Sequence, residues 1–504
     1  MNKGEIKKGR GFYLVVILLM FTVLVAGCKE INSKQTTGTN KNQTSEVNQF
    51  IPTVYDTTVT VIVEEKTLAG TLKMKSTNNT GKNQDRIYFH VYPNQFREGV
   101  DLLGGFWRHI VDENSEPGSM EITEVQVNGT KGIFEIDDTV LKIPLDIWKK
   151  GQTIDIELKF SMKVPKNNGR FAYDENAIWL GNWIPIQAVF DNRGWVTDPY
   201  HSIGDPFYSQ VGTYNVKVTV PSKYKITSTG KEEDGLLEPN GSVTYKTTID
   251  HVRDFAMVIM DESYQKISDQ VGETIVNTWY RASESQETVK KNHEAAVKAL
   301  SYFSKVYGPY PYPEYDIVRT GMFTAMEFPG LVYLPKHNHE NNESDIGSVV
   351  HETTHQWWYA MVGNDKVKEP WLDEAMATYS TTRFMLEEYP EHGAGDLELR
   401  KHMTVGTEVY ERRGIYIGSS VDKFNNIGTY SQLVYQKGAL MLENLEKVIG
   451  KEKMDQLLQN YFKEYQYEIA TGSDFISVFT EELGPEAQEY FDKWLSGKEP
   501  EFKQ

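Results

Sequence analysis

The densest chemistry in this chain lies in His351-Glu352-Thr353-Thr354-His355, with Glu374 nineteen positions beyond the second histidine. If residues 346–359 form a helix, His351 and His355 stand one turn apart on one face, where two imidazoles can converge on a single zinc ion. Glu352 is then directed toward the ion's open side. Glu374, within Pro370-Trp371-Leu372-Asp373-Glu374-Ala375, can supply a third ligand from a second helix, because proline is favoured at a helix start. Three protein ligands plus water make a catalytic zinc site, whereas four make a structural one. With 11 histidines in 504 residues, the five-residue pattern alone arises by chance roughly once in fifty chains of this kind. Requiring the later glutamate lowers that to about one in several hundred.

The elements that must hold these residues follow from periodicity. From about 51 to 265 the chain alternates with period two: Val59, Val61 and Val63; Ile87, Phe89 and Val91; Val216, Val218 and Val220 before Pro221. Asn128-Gly129 between two such runs is a strong hairpin signal. An antiparallel β-rich domain is expected, with no catalytic cluster of its own, since His90, His109, His201 and His251 are scattered singly. Residues 183–208, rich in aromatics, glycine and proline, suit an ordered loop near a cleft. From about Ser285 the pattern turns helical, with Val289, Ala296, Leu300 and Phe303 on one stripe before Gly308-Pro309-Tyr310-Pro311. Glu327 sits among apolar neighbours in a strand-like stretch, Thr324 to Tyr333, just ahead of the histidines. It reads either as a solvated edge glutamate or as a carboxylate projecting into a cleft. His337 and His339 fall in a polar loop and are left out of the site. Tyr430 and Tyr435 are, on local sequence, ordinary half-buried aromatics.

The beginning of the chain has its own character. Lys3, Lys7, Lys8 and Arg10 precede an apolar run from about Phe12 to Ala26. That run is shorter than the ~20 residues of a membrane-spanning helix and suits a secretory signal. It ends in Leu24-Val25-Ala26-Gly27-Cys28, which resembles a bacterial lipoprotein signal in which the cysteine is lipidated. Cys28 is the only cysteine, so no intramolecular disulfide is expected and the core alone must hold the fold. Residues 1–27 are expected to be a signal peptide and 28–50 a disordered tether, polar throughout. The formal charge is −18; residues 1–27 carry four positive charges and one negative, leaving −21 on the remainder. A chain that acidic offers no footprint for a phosphate backbone, so nucleic acid is excluded as a partner.

Taken together these residues resemble the aminopeptidase N family of gluzincin metallopeptidases. His351-Glu352-Thr353-Thr354-His355-Gln356-Trp357 and Trp371-Leu372-Asp373-Glu374 look like its zinc signature. Thr324-Ala325-Met326-Glu327-Phe328 looks like its Gly-Ala-Met-Glu-Asn motif, and Tyr435-Gln436-Lys437-Gly438-Ala439 like the segment with its catalytic tyrosine. The resemblance implies an α+β architecture: an N-terminal antiparallel β-saddle domain at 51–265, then a thermolysin-like, mainly helical catalytic domain at 266–504. It implies one zinc ion per chain held by His351, His355 and Glu374, with Glu352 as general base and Tyr435 steadying the oxyanion. Glu327 would bind the free α-ammonium of a peptide.

Some positions depart from the family pattern. Thr324 and Phe328 replace the first glycine and the last asparagine of one motif, while Asp373 and Ala375 flank the third ligand in place of asparagine and glycine. The family's additional amine-binding glutamine has no clear match, and Gln187 is not assigned to it. No large C-terminal helical domain follows the catalytic segment in this sequence. The expected activity is release of N-terminal residues from peptides, by a protein anchored through Cys28 on the extracytoplasmic face of a bacterial membrane. The alternatives are an endopeptidase or dipeptide-releasing enzyme and, from another class, a non-catalytic peptide-binding lipoprotein. No oligomeric state is assigned.

Overall fold

A computed structural model describes residues 50–102, 107–335 and 343–503; the signal, the tether and Cys28 lie outside the described residues, as do His337 and His339. The first half is mainly β, with short helical turns at Val63–Glu65, Tyr92–Phe96 and Trp107–Ile110. Its largest sheet has eight strands, in the spatial order 236–237, 242–252, 212–221, 53–62, 67–77, 153–163, 119–127 and 130–131. Alternation makes this sheet: Val59, Val61, Leu68, Leu72, Val216, Val218 and Leu158 all turn inward and are buried. Asn128 and Gly129 both take positive φ (50° and 75°) and join Val127 to Thr130 as a two-residue hairpin. Pairing is antiparallel as expected except at one seam. Strands 53–62 and 212–221 run parallel, which a hairpin cannot produce. The chain between them builds one four-stranded sheet whole and half of a second, which strands 225–228 and 257–260 complete.

A second unit of structure starts at Tyr264. Strands Tyr264–Val271, Thr274–Arg281, Glu314–Thr320, Leu331–Pro335 and Met326–Phe328 lie side by side in that order. The last is an antiparallel edge strand. Helix Gln286–Val306 begins where the Ser285 hydroxyl accepts from the Thr288 N–H. Its stripe of Val289, Ala296, Leu300 and Phe303 is buried. Beyond Phe328, helices Glu343–Thr354, Trp371–Glu388, Pro390–Thr404 and Gly438–Ile449 complete the surroundings of the histidines, and three more, from 451 to 495, close the chain.

The two halves are stitched by one fully buried cation. Arg253, from the β-rich part, donates to the backbone carbonyls of Tyr359 (2.9 Å), Ser209 (3.0 Å), Met361 (3.2 Å) and Glu468. A buried guanidinium is tolerated only when its donors are satisfied, so this contact locks the segment that follows the histidines against the β-rich half. Among the described residues no helix is long and apolar enough to cross a membrane.

Candidate metal and catalytic centre

The histidine helix is shorter than the spacing predicts. It ends at Thr354 rather than 359, leaving His355 in the following turn. The Gln356 and Trp357 N–H groups bond back only three residues, to Thr353 and Thr354, tightening the last turn. The two indoles that follow are pulled apart: Trp357 Nε1 donates to the Gly308 carbonyl and Trp358 Nε1 to the Ser380 hydroxyl. Tyr359 then takes φ 128°, a backbone region that side chains rarely enter and that costs about 1–3 kcal/mol. The one-turn offset of His351 and His355 survives.

Glu374 comes from the first turn of helix Trp371–Glu388, directly after Pro370. His351 Nε2 stands 3.1 Å from His355 Nε2 and 3.3 Å from Glu374 Oε2, and His355 Nε2 is 3.6 Å from the same oxygen. Around a tetrahedral zinc with bonds of about 2.0–2.1 Å, neighbouring donors sit roughly 3.3–3.4 Å apart. The two imidazoles and one carboxylate therefore suit zinc in both chemistry and spacing. Behind them, His355 Nδ1 lies 2.6 Å from Asp373 Oδ1 and 3.1 Å from the Trp358 carbonyl, the outer support that orients a ligating histidine. Burial would raise the Glu374 carboxyl, but hydrogen bonding to His351 and His355 outweighs it and holds the group well below the usual carboxylate range.

Glu352 is buried, borders the same cavity, and its Oε2 has no hydrogen-bond partner among the described residues. Burial, then repulsion from Glu327, pushes this carboxyl well above its ordinary range; a bound dication acts in the opposite sense. Tyr435 lies in a seven-residue π-helical stretch, Ser431–Lys437, a local widening frequent at functional sites. Burial, followed by the Glu374 charge, drives its phenol well above 10, so it remains an O–H donor.

Glu327 is on the edge strand, buried at 4% exposure. It belongs to the cavity and not to the solvent, which decides between the two readings its local sequence allows. The strand is clipped to the histidine segment by Gln356, whose Oε1 accepts from Gly330 N (2.8 Å) and whose Nε2 donates to the Phe328 carbonyl (3.1 Å). Phe328 fills space left by Gly181, where a Cβ would come within 2.3 Å of the ring. The unusual residue in that motif is thus matched by a glycine on the β-rich half.

Three further charged residues come to the centre without a signal of their own. Lys366, 2% exposed, bonds Glu327 Oε1 at 2.7 Å and Asp373 Oδ2 at 2.8 Å. Asp205 and Arg170, paired at 2.6 Å, wall the cavity from the β-rich half. The only sequence hint for Lys366 was Asp373, a carboxylate beside a metal ligand that a buried site must balance. Asp205 lies in the 183–208 stretch expected near a cleft. Gln187 sits elsewhere, accepting from Thr53 and Ser76.

The cavity around Glu327 and the ligands measures about 310 Å³ and adjoins a groove of about 880 Å³, bordered by helices Trp371–Glu388 and Pro390–Thr404. His351, Glu352 and Tyr435 border both spaces. A chain crossing from one to the other would pass His351, Glu352 and the phenol.

Comparison with known proteins gives consistent results. Residues 291–494 match the model of the peptidase family M1 domain. Aminopeptidase B of Mus musculus is 25% identical over 232 residues, 42% of this chain and 35% of that protein. Glutamyl aminopeptidase of Bos taurus is 23% identical over 305 residues, 56% and 31% respectively. The matches span about a third of the length of these relatives. In fold, the chain is similar to the crystal structure of an M1 zinc metallopeptidase from Deinococcus radiodurans, with TM-score 0.64 at 18% identity over 90% of this chain and 96% of that one. A point mutant of that protein bound to a Tyr-Ser-Ala substrate gives 0.63 at 19% identity, with the same coverage.

Proposed function

We propose, from the match of residues 291–494 to the peptidase family M1 model, that this chain is a zinc-dependent aminopeptidase that hydrolyses the first peptide bond of peptides with a free N-terminus. His351, His355 and Glu374 hold the ion. When bound, zinc supplies Lewis acidity, polarising a carbonyl and making water a nucleophile near neutral pH. Glu352 takes the proton from the attacking water and delivers it to the leaving amine. The Tyr435 O–H donates to the developing oxyanion. Glu327, with Oε1 committed to Lys366, keeps Oε2 for the α-ammonium.

The observation that carries this reading is the charge content of the centre. Asp205, Glu327, Glu352, Asp373 and Glu374 are all buried, and Arg170 and Lys366 pair with members of the set. With zinc bound and all five carboxylates ionised, the dication and the two side-chain cations leave one negative charge. One substrate ammonium neutralises the remainder, whereas a blocked N-terminus leaves a buried charge uncompensated. The contact between Lys366 and Glu327 is also what favours the alternative. If the lysine satisfies Glu327 fully, no amine is required and the enzyme is an endopeptidase or releases dipeptides.

Aminoacyl-fluorophore substrates with free and acetylated α-amines separate the two, before and after chelation and zinc return. Zinc-dependent cleavage of the free-amine set alone supports the aminopeptidase; equal cleavage of both supports the alternative. No cleavage of either, or of longer peptides, would leave a peptide-binding protein.

The Cys28 pattern supports a further element of the proposal, attachment by lipid to the extracytoplasmic face of a bacterial membrane. Two acyl chains on one residue suffice for stable anchoring. Labelling with a fatty-acid analogue, lost in C28S together with partition into detergent, tests it; unchanged partition would remove the anchor.

A further inference from the structure

The Lys366 ammonium plays none of the direct catalytic roles above. Its Nζ lies 2.7 Å from Glu327 Oε1, 2.8 Å from Asp373 Oδ2 and 3.6 Å from the centre of the Tyr359 ring. An ammonium has three N–H bonds and no acceptor. Two carboxylates and a ring face use all three directions, so Lys366 is unsuited to exchange protons with a substrate or to hold a substrate carboxylate.

What this geometry does is fix two carboxylates with one atom. Ligating atoms of Glu327, Asp373 and His355 all lie within 4.8 Å of one another. Carboxylates at that range repel, and in a buried site one would swing away unless a cation stood between them. On one side the lysine holds the Glu327 carboxylate by a single oxygen. On the other it holds Asp373, whose second oxygen is 2.6 Å from His355 Nδ1, so the ring's Nε2 stays aimed at His351 and Glu374. Tyr359 lies beneath the ammonium with φ 128°, and its carbonyl is held by Arg253. Strained backbone there brings the ring face to 3.6 Å from the ammonium.

We propose that Lys366 is a positioning residue that sets the seat of the substrate amine and the seat of the metal together. The amine arm rests on the reading of Glu327 given above; the metal arm does not. The two seats come from separate elements, an edge strand and a helix start, and this is the one ammonium that joins them among the described residues.

K366M keeps the stem and removes the charge. Zinc should pass to a chelator 10–100-fold faster than from the unmodified protein, the usual scale for loss of a ligand's outer support. The preference for an amino-acid amide over its des-amino analogue, measured by competition, should shrink at least tenfold. Adding D373N removes the stranded charge while leaving an oxygen to accept from His355. Zinc retention should then return and amine preference should not. Should K366M fail to fold, K366M/D373N alone carries both expectations. Unchanged zinc release together with unchanged amine preference in K366M would overturn the proposal. So would parallel loss of both with a falling melting temperature that D373N does not reverse. If the unmodified protein shows no preference for the amine, the reading of Glu327 fails, and the zinc arm still decides the role of Lys366.

Discussion

The ring of Tyr435 lies nearly parallel to the imidazole of His351, with planes 16° apart and centroids 5.9 Å apart. A tyrosine from the Ser431–Lys437 stretch therefore stands over the face of the first histidine of the candidate metal site. Y435F should keep zinc and substrate affinity but lower kcat by about 10²–10³-fold, the scale of one lost oxyanion donor. Steady-state kinetics with zinc content decides it. A change confined to KM would place the phenol in binding instead.

Glu352 is the carboxylate of the centre whose Oε2 has no protein partner among the described residues. E352Q should hold a full equivalent of zinc yet lose about 10²–10⁴ in turnover, the range for a proton-transfer group. Metal analysis beside single-turnover rates tests this. Activity within a few-fold of normal would remove Glu352 as the base.

Gly438 and Ala375 mark the contact between the tyrosine segment and the helix that bears Glu374. A Cβ on Gly438 would stand 2.6 Å from the Ala375 Cβ, with no flexible side chain to yield. G438A should lower the melting temperature and weaken zinc binding by displacing the first turn of helix Trp371–Glu388. A375G should restore both in the double variant, since it removes the atom that clashes. Gly438 is helical at φ −61°, so absence of rescue would place the strain on a neighbour other than the Ala375 methyl group.

Asp316 offers a test away from the metal. Burial, with the Glu314 charge second, raises its carboxyl to about 7, although the Trp279 Nε1 donates to Oδ1 at 2.7 Å. The folded chain therefore keeps a proton that the unfolded chain loses near pH 4. Ionisation of this group makes stability fall as pH rises from about 4 through 7, levelling off above. The full effect is on the order of 4 kcal/mol. D316N keeps the acceptor for Trp279 and removes the charge, so it should melt several degrees higher at pH 8 and match the parent near pH 4. Melting curves across that range suffice, and a gap independent of pH would assign the effect to packing.

The sequence by itself determined what depends on chain-local geometry. The one-turn offset of His351 and His355, the Ser285 cap, the Asn128-Gly129 hairpin and the alternation of Val59 with Val61 are set by backbone periods, which neighbouring residues impose wherever the segment lies. The resemblance supplied Tyr435 and Glu327, whose local sequences allow blander roles. Tertiary structure decided the rest. The histidine helix stops at Thr354 because Trp357 and Trp358 find polar partners in different directions. Glu327 is a buried pocket carboxylate because its edge strand is clipped by Gln356 and faces Lys366. Asp205 and Arg170 reach the centre from the distant β-rich half and Lys366 from the link between the histidines and Glu374. The Coulomb energy that makes their pairing matter depends on separation and burial in the folded chain. Neither quantity has a period in the sequence, so only the packed structure could reveal it.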